Sequence, residues 1–315
     1  MEHIVFLDRA SIPADVRRPD IEHDWHEFEQ TSRDEVAQRL AGATIAISNK
    51  VPLRADALAC NPVLRMITAA ATGTDHIDLD YCRQHAIAVA NVRGYAAHSV
   101  PEHVFALALA LRRNLLAYRA AVRSGEWQKS TQFCLLNHAI GDLHGSTLGI
   151  VGFGTLGAAV KRLAECFGMR VLVAERKNGV VIRDGMTPFD EVLRQSDVIT
   201  LHTPLTDETR HLIGAAEFGL MRPQAILINT ARGGLVDEQA LADALKDGRI
   251  AGAGFDVLSS EPPRNGNLLL DLDLPNFILT PHVAWGSSGA IRNLADQVTA
   301  NIEAFVGGRE LNRVV

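Results

Sequence analysis

The stretch Leu148-Gly149-Ile150-Val151-Gly152-Phe153-Gly154-Thr155-Leu156-Gly157 joins a short apolar run, a GxGxxG turn and the start of a helix. The helix that follows carries Leu156, Val160, Leu163, Ala164 and Phe167 at helical spacing, so one face is apolar. Each glycine has its own task in such a turn. Gly152 permits the tight bend, Gly154 lets backbone approach a pyrophosphate, and Gly157 allows the helix to press against the strand. The helix N-terminus offers free N–H groups to the anion, with Phe153, Thr155 and Leu156 completing the turn. The next strand, Val171–Ala174, ends in Glu175, at about the 20-residue distance at which an acid accepts hydrogen bonds from an adenosine ribose. Strand, turn, helix, strand and acid in this order predict a dinucleotide-binding α/β unit. Glu175 favours NAD. The neighbouring Arg176 and Lys177 are solvated surface charge or a welcome for the extra phosphate of NADP, which stays possible.

Outward from this motif the same alternation continues. Towards the C-terminus come a helix over Phe189–Gln195, then Val198–His202, Ala225–Asn229, a helix over Glu238–Lys246, Gly252–Val257 and Phe277–Leu279. Before it, His3–Leu7, a helix over Arg33–Leu40, Thr44–Ile47, Leu64–Thr68 and Ile87–Ala90 form an earlier series. Both series predict parallel sheets flanked by helices. Between them a long helix starts near Ser99, with Val100, Val104, Phe105, Leu107, Leu109, Leu111, Leu115 and Leu116 around nearly its whole circumference. It must be covered on more than one side, as a spine between domains or as a subunit interface. A last helix carries Ile291, Leu294, Ala295, Val298, Ile302 and Phe305 and is expected to cross back to the first domain, leaving that domain discontinuous. The predicted fold is therefore α/β, two Rossmann-like doubly wound parallel-sheet domains, residues 1–98 plus 286–315 and residues 99–285.

Bulk properties fit this division and narrow the function. A chain of 315 residues suggests two domains. With 47% hydrophobic residues and 22% charged it has ample side chain for packed cores. The net charge of −6, with basic residues scattered, argues against nucleic acid as a partner. No apolar run approaches the ~20 residues of a membrane helix. The N-terminus reads as no secretory signal, so a cytoplasmic protein is expected. Cys60, Cys82, Cys134 and Cys166 lack the spacing of a zinc site or disulfide framework and read as small apolar residues. His23 and His26 precede no helix and read as surface residues, so no metal is expected.

Three segments fall just after predicted strands of the second domain: Thr230-Ala231-Arg232-Gly233-Gly234-Leu235-Val236-Asp237, Phe255-Asp256-Val257-Leu258-Ser259-Ser260-Glu261-Pro262-Pro263 and Thr280-Pro281-His282-Val283-Ala284-Trp285. Reducing a keto acid needs a fixed cation for the carboxylate, an acid for the nascent alkoxide, and a group that stabilises that acid. Arg232, His282 and Glu261 are one of each. Singly, they read equally well as an ion-pair partner, a satisfied buried histidine and the start of a proline-rich turn. His202, Thr203 and Pro204, at the end of another strand, join Thr230, Ala231 and Asp256 as candidate cofactor contacts.

In identity, order and spacing these segments, with the glycine turn, resemble the D-isomer-specific 2-hydroxyacid dehydrogenase family along nearly the whole chain. The resemblance implies a substrate domain built from both termini, a nucleotide domain inserted between them, and an active site in the cleft. It implies that Arg232 orients the substrate's carboxylate and carbonyl, that His282 exchanges the proton, and that Glu261 hydrogen-bonds His282 and stabilises its imidazolium. Asp256, Thr230 and Ala231 would position the nicotinamide. Ala71-Thr72-Gly73-Thr74-Asp75 looks like the family's substrate loop, whose N–H groups at Thr72 and Gly73, with Asn49 and Lys50 nearby, would receive the carboxylate. The segments Asn91–Tyr95, Ser99–His103 and Trp127–Cys134 resemble the glycerate dehydrogenase/hydroxypyruvate reductase branch. This implies hydroxypyruvate or glyoxylate as substrate and a homodimer paired through the helix after Ser99 and the arm around Trp127. A 3-phosphoglycerate dehydrogenase and a non-enzymatic NAD-sensing binding protein of the same fold are the alternatives.

Overall fold

The computed structural model describes all 315 residues. They form two compact units, one of Met1–Ala96 with Gly286–Val315 and one of Ala97–Trp285. The first unit is discontinuous because the chain leaves it after Ala96 and returns at Gly286.

In the first unit β1 (Glu2–Phe6), β2 (His23–Glu27), β3 (Ile45–Ser48), β4 (Met66–Ala69) and β5 (Ala88–Ala90) form one sheet in the order β2-β1-β3-β4-β5. All pairings are parallel. β3 and β4 are wholly buried, as expected of parallel strands covered on both faces. β2 is absent from the sequence-based expectation. Its residues, His23-Asp24-Trp25-His26-Glu27, are polar and half-exposed because the strand sits at the sheet edge and pairs only with β1. The predicted Arg33–Leu40 helix is a 3-10 turn at Arg33–Glu35 leading into Val36–Arg39. The helix Ser288–Val306 packs on this sheet, with Asn301 Nδ2 donating to the Asn91 carbonyl at 2.8 Å.

In the second unit β6 (Thr147–Val151), β7 (Arg170–Ala174), β8 (Val198–Leu201), β9 (Ile226–Asn229), β10 (Gly252–Phe255) and β11 (Phe277–Leu279) lie in the order β11-β10-β9-β8-β6-β7. All are parallel. Chain order reverses between β6 and β8, the switch point at which open α/β sheets take their ligands. Beyond β7 a further strand is reduced to one bridge, Ala174 with Thr187. Leu107 of the helix Ser99–Arg112 packs against β10 at Gly254, where an added Cβ would sit 3.0 Å from the Leu107 Cβ. On the opposite face Val192, Leu193, Phe218, Leu241 and Leu245 join Ile199, Leu201, Leu227 and Phe255 in one core.

The long helix expected after Ser99 is two. It stops at Arg112, Asn114 takes a left-handed φ of 49°, and Leu115–Arg123 continues in a new direction. Leu115 and Leu116 therefore leave the apolar stripe and are 53% and 40% exposed. Among the cysteines only Cys82 is buried, while Cys60 and Cys166 are exposed, so these two are not small core residues.

Candidate active site

The glycine turn shows three different constraints. Gly152 has φ +94°, and a Cβ there would lie 2.6 Å from the His202 carbonyl carbon and 2.7 Å from Thr203 N. It lets β6 and the chain leaving β8 touch at the switch point. At Gly157 an added Cβ would stand 2.3 Å from the Gly152 oxygen, so this glycine sets how closely the helix Thr155–Cys166 approaches the turn. A Cβ on Gly154 would meet nothing within 4 Å, and the helix begins there with no side-chain cap. Open space beside uncapped N–H groups suits a diphosphate. Phe153 is exposed, with Lys161 Nζ 5.9 Å from its ring centre. Thr155 is exposed and Leu156 half-buried.

Near β8 the His202 imidazole shares a 3.0 Å hydrogen bond with Thr200 Oγ1, and burial lowers its pKa to about 4. It is thus a neutral packing group, and Thr203 and Pro204 continue from it along the edge of the turn. At the end of β9 the Thr230 hydroxyl is buried without a protein partner. An orphaned buried hydroxyl and the open side of Gly154 both fit a dinucleotide along this edge of the sheet.

The end of β7 departs from expectation. Glu175 is buried at 4% exposure, and Arg183, which the sequence did not single out, reaches it with Nε at 2.7 Å and Nη2 at 2.6 Å. Hydrogen bonds from the Arg183 guanidinium, then from the Arg176 amide, hold its pKa at about 2. Lys177 is engaged within the unit. Its Nζ lies 2.8 Å from Glu217 and 3.2 Å from the Leu212 carbonyl, whereas Arg176 is exposed.

β9, β10 and β11 end in register, Asn229 beside Phe255 and Phe255 beside Leu279. Strand spacing of about 4.8 Å then brings the three catalytic candidates out along one edge. Gly233 fixes the first loop against the second, since a Cβ there would fall 1.9 Å from the Leu258 carbonyl carbon. Arg232, immediately before it, is half-buried. Its carbonyl accepts from Asn229 Nδ2 at 2.9 Å, and its Nη1 donates to the Ala231 carbonyl at 2.7 Å. In the second loop Glu261 Oε1 accepts from Leu258 N at 2.7 Å, and Oε2 lies 2.5 Å from His282 Nδ1. A carboxylate only accepts, so Nδ1 carries the hydrogen and Nε2 is the ring nitrogen that Glu261 does not engage. Glu238 pins the same loop, accepting from Ser259 N at 2.7 Å and Asn267 Nδ2 at 2.8 Å. The sequence reading missed this residue, whose charge was hidden in the first turn of a helix.

His282 has φ +56°, a left-handed backbone that a non-glycine residue adopts only when its surroundings enforce it. The enforcing group is Asp256. Its carbonyl accepts from His282 N at 2.8 Å. Its carboxylate accepts from Thr280 Oγ1 at 2.5 Å, Val283 N at 2.9 Å and Ala284 N at 2.7 Å. With 1% exposure, Asp256 acts here as a clamp on the histidine loop, where the sequence suggested a cofactor contact. Trp285 Nε1 completes the turn by donating to the His282 carbonyl at 3.0 Å. An unbroken series of contacts thus links Arg232's loop, Glu261, His282 and Asp256.

The candidate substrate contacts lie in the first unit. The amides of Asn49 and Lys50 are already engaged, donating to the Asp8 carboxylate at 3.0 and 2.7 Å. These two amides are thus committed within the unit. The Ala71–Asp75 loop is anchored through its oxygens. The Ala71 carbonyl accepts from Val92 N at 3.1 Å, the Thr72 carbonyl from Asn91 Nδ2 at 2.8 Å, and the Thr72 hydroxyl donates to the Val92 carbonyl at 2.8 Å.

Comparison with known proteins decides the family. Residues 105–284 match the model of the NAD binding domain of D-isomer specific 2-hydroxyacid dehydrogenases. A glycerate dehydrogenase of Methylorubrum extorquens is 52% identical over 312 residues, covering 99% of this chain and 98% of that one. The chain belongs to the D-isomer specific 2-hydroxyacid dehydrogenase family. It is an NAD-dependent oxidoreductase on its glycerate dehydrogenase branch. Family architecture is shared with the D-lactate dehydrogenase of Aquifex aeolicus complexed with NAD and lactic acid (TM-score 0.81, 29% identity, 97% of this chain and 96% of that one). An acyclic imino acid reductase in complex with NADPH and D-arginine superposes similarly (TM-score 0.85, 28% identity, 99% and 100% covered). No helix is long and apolar enough to cross a membrane.

Proposed function

We propose that this dehydrogenase reduces a short polar 2-keto acid, hydroxypyruvate or glyoxylate, to the D-2-hydroxy acid. The observation that carries the reading is the 2.5 Å Glu261–His282 pair at the sheet edge from which Arg232 also emerges. The Arg232 guanidinium holds the substrate's carboxylate and carbonyl oxygen in a fixed fork. His282 Nε2 gives its proton to the carbonyl oxygen as the alkoxide forms. Glu261 holds the imidazolium on the opposite nitrogen, and Asp256 keeps the ring aimed by fixing the loop beneath it. Bound along the glycine turn, the nicotinamide cofactor supplies the hydride. Gly152–Gly157, Glu175, Arg176, His202–Pro204 and Thr230–Ala231 line its course. Thr72 and Gly73, whose loop is tied down through oxygens, offer N–H groups to the substrate's carboxylate, which gives the terminal unit its substrate-binding role.

A homodimer is part of the proposal. Phe133, Leu136, Leu115, Trp127 and Val122 are 92%, 75%, 53%, 50% and 49% exposed, an apolar collection that a second copy would cover. A cytoplasmic location agrees with the exposed free cysteines. The test is NADH oxidation with hydroxypyruvate, glyoxylate, pyruvate and 3-phosphohydroxypyruvate in parallel. Turnover of the first two ahead of the others is expected. Exclusive use of the phosphorylated acid, or no turnover with any, would overturn the substrate reading.

A further inference from the structure

Glu175 carries more than an acid at the end of β7. Its Oε1 accepts from Arg176 N at 2.8 Å and Arg183 Nη2 at 2.6 Å, and its Oε2 from Arg183 N at 3.1 Å and Arg183 Nε at 2.7 Å. A carboxylate has about four acceptor sites, so none is spare for a ribose diol. The arrangement is built into the fold. Arg183 lies on the loop that returns to the sheet at Thr187, whose amide donates to the Val173 carbonyl at 2.8 Å and whose carbonyl accepts from Glu175 N at 2.8 Å. The Arg183 side chain remains 56% exposed while the Glu175 side chain is 3% exposed, so the outward face of this corner is cationic.

We propose that Arg183 is a cofactor-selectivity residue, masking the Glu175 carboxylate so that the adenosine 2′ position accepts a phosphate as well as a hydroxyl. An unmasked carboxylate would take the 2′- and 3′-hydroxyls and repel a 2′-phosphate. With a guanidinium forked across it the pair is neutral, the repulsion is cancelled, and the exposed donors of Arg183 and Arg176 face a phosphate instead. The ribose diol must displace Arg183 to reach Glu175, which weakens the preference for the unphosphorylated cofactor. Selectivity is thus set by a residue eight positions downstream of the acid that usually sets it.

The inference rests on the proposal that Glu175 faces the adenosine ribose. The experiment measures binding without turnover, using calorimetric titration of the full chain with 5′-AMP and with adenosine 2′,5′-bisphosphate. Arg183→Gln should raise the Kd for the bisphosphate relative to 5′-AMP at least tenfold. Glu175→Gln, which frees the guanidinium, should move that ratio at least tenfold the other way. A purely structural role would weaken both ligands together and leave the ratio unchanged. If Arg183→Gln melts early, Arg183→Lys, which keeps the cation but loses the fork, should shift the ratio in the same direction as Arg183→Gln by a smaller factor. A ratio unmoved at Arg183 but moved at Glu175 would refute the mask alone. A ratio unmoved by either would refute the ribose placement as well.

Discussion

Replacing Glu261 by glutamine removes one charge and almost no volume, and the geometry states what must fail. The two oxygens of the glutamate accept from Leu258 N at 2.7 Å and face His282 Nδ1 at 2.5 Å. Glutamine has one acceptor oxygen and one amino group, so it can satisfy only one of them. If its oxygen stays with Leu258 N, its amino group faces Nδ1 and donates to it, forcing the hydrogen onto Nε2. The imidazolium would then set one N–H against another. The lost interaction is a charge-assisted hydrogen bond, worth about 1.5–3 kcal/mol. Both side chains are about a third exposed or less, so solvent screening trims this only modestly. At about 1.4 kcal/mol per decade, kcat/KM for hydroxypyruvate reduction should fall roughly 10- to 150-fold. Because the equilibrium constant belongs to the reactants, kcat/KM for oxidation of D-glycerate must fall in proportion. The assay is steady-state NADH oxidation across pH, with circular dichroism to establish the fold. Activity within twofold of the parent, or a loss in one direction alone, would refute the reasoning.

Arg232→Ala should raise KM and lower kcat together, because the lost contact to the substrate is charge-assisted and worth about 1.5–3 kcal/mol; normal steady-state constants would remove Arg232 from the site. Gly157→Ala drives a Cβ to 2.3 Å from the Gly152 oxygen, and overpacking against backbone should lower stability by about 1–3 kcal/mol in urea unfolding while weakening NADH in calorimetry. Burial lowers His202 to about 4, and burial followed by the charge of Lys50 lowers His76 to about 4. Unfolding therefore takes up protons between about pH 6.5 and pH 4, and stability should decline as pH falls through that window by up to roughly 3 kcal/mol per histidine. Glu175, held near 2, stabilises the folded state above the ordinary carboxylate range and loses that contribution only as pH falls from there towards 2. A melting temperature independent of pH from 7 to 4 would contradict the burial argument.

Much of this was legible because parallel strands buried on both faces read as short apolar runs, as at Ile45–Ser48 and Ile226–Asn229. The glycine turn announced itself because Gly152 and Gly157 stand where an added Cβ would overlap backbone atoms. β2 escaped notice because an edge strand needs no apolar run. The helix break at Asn114 did too, because the apolar spacing runs on through Leu115 while only the backbone turns aside. Arg183 and Asp8 were invisible for a related reason. Their partners meet through loop geometry and strand order, which leave no periodic trace in the sequence. Asp256 was legible only as a cofactor contact, because its hold on the histidine loop depends on amides that coordinates alone bring together.

Asp8 follows β1 and occupies the crevice beside β3, the chain reversal of the first sheet. There its buried carboxylate takes the amides of Asn49 and Lys50. This half of the protein carries a tethered counterfeit of the small acids its family handles. A variant shortened at that position, Asp8→Ala, would exchange a built-in anion for a cradle that formate or acetate from solution could refill.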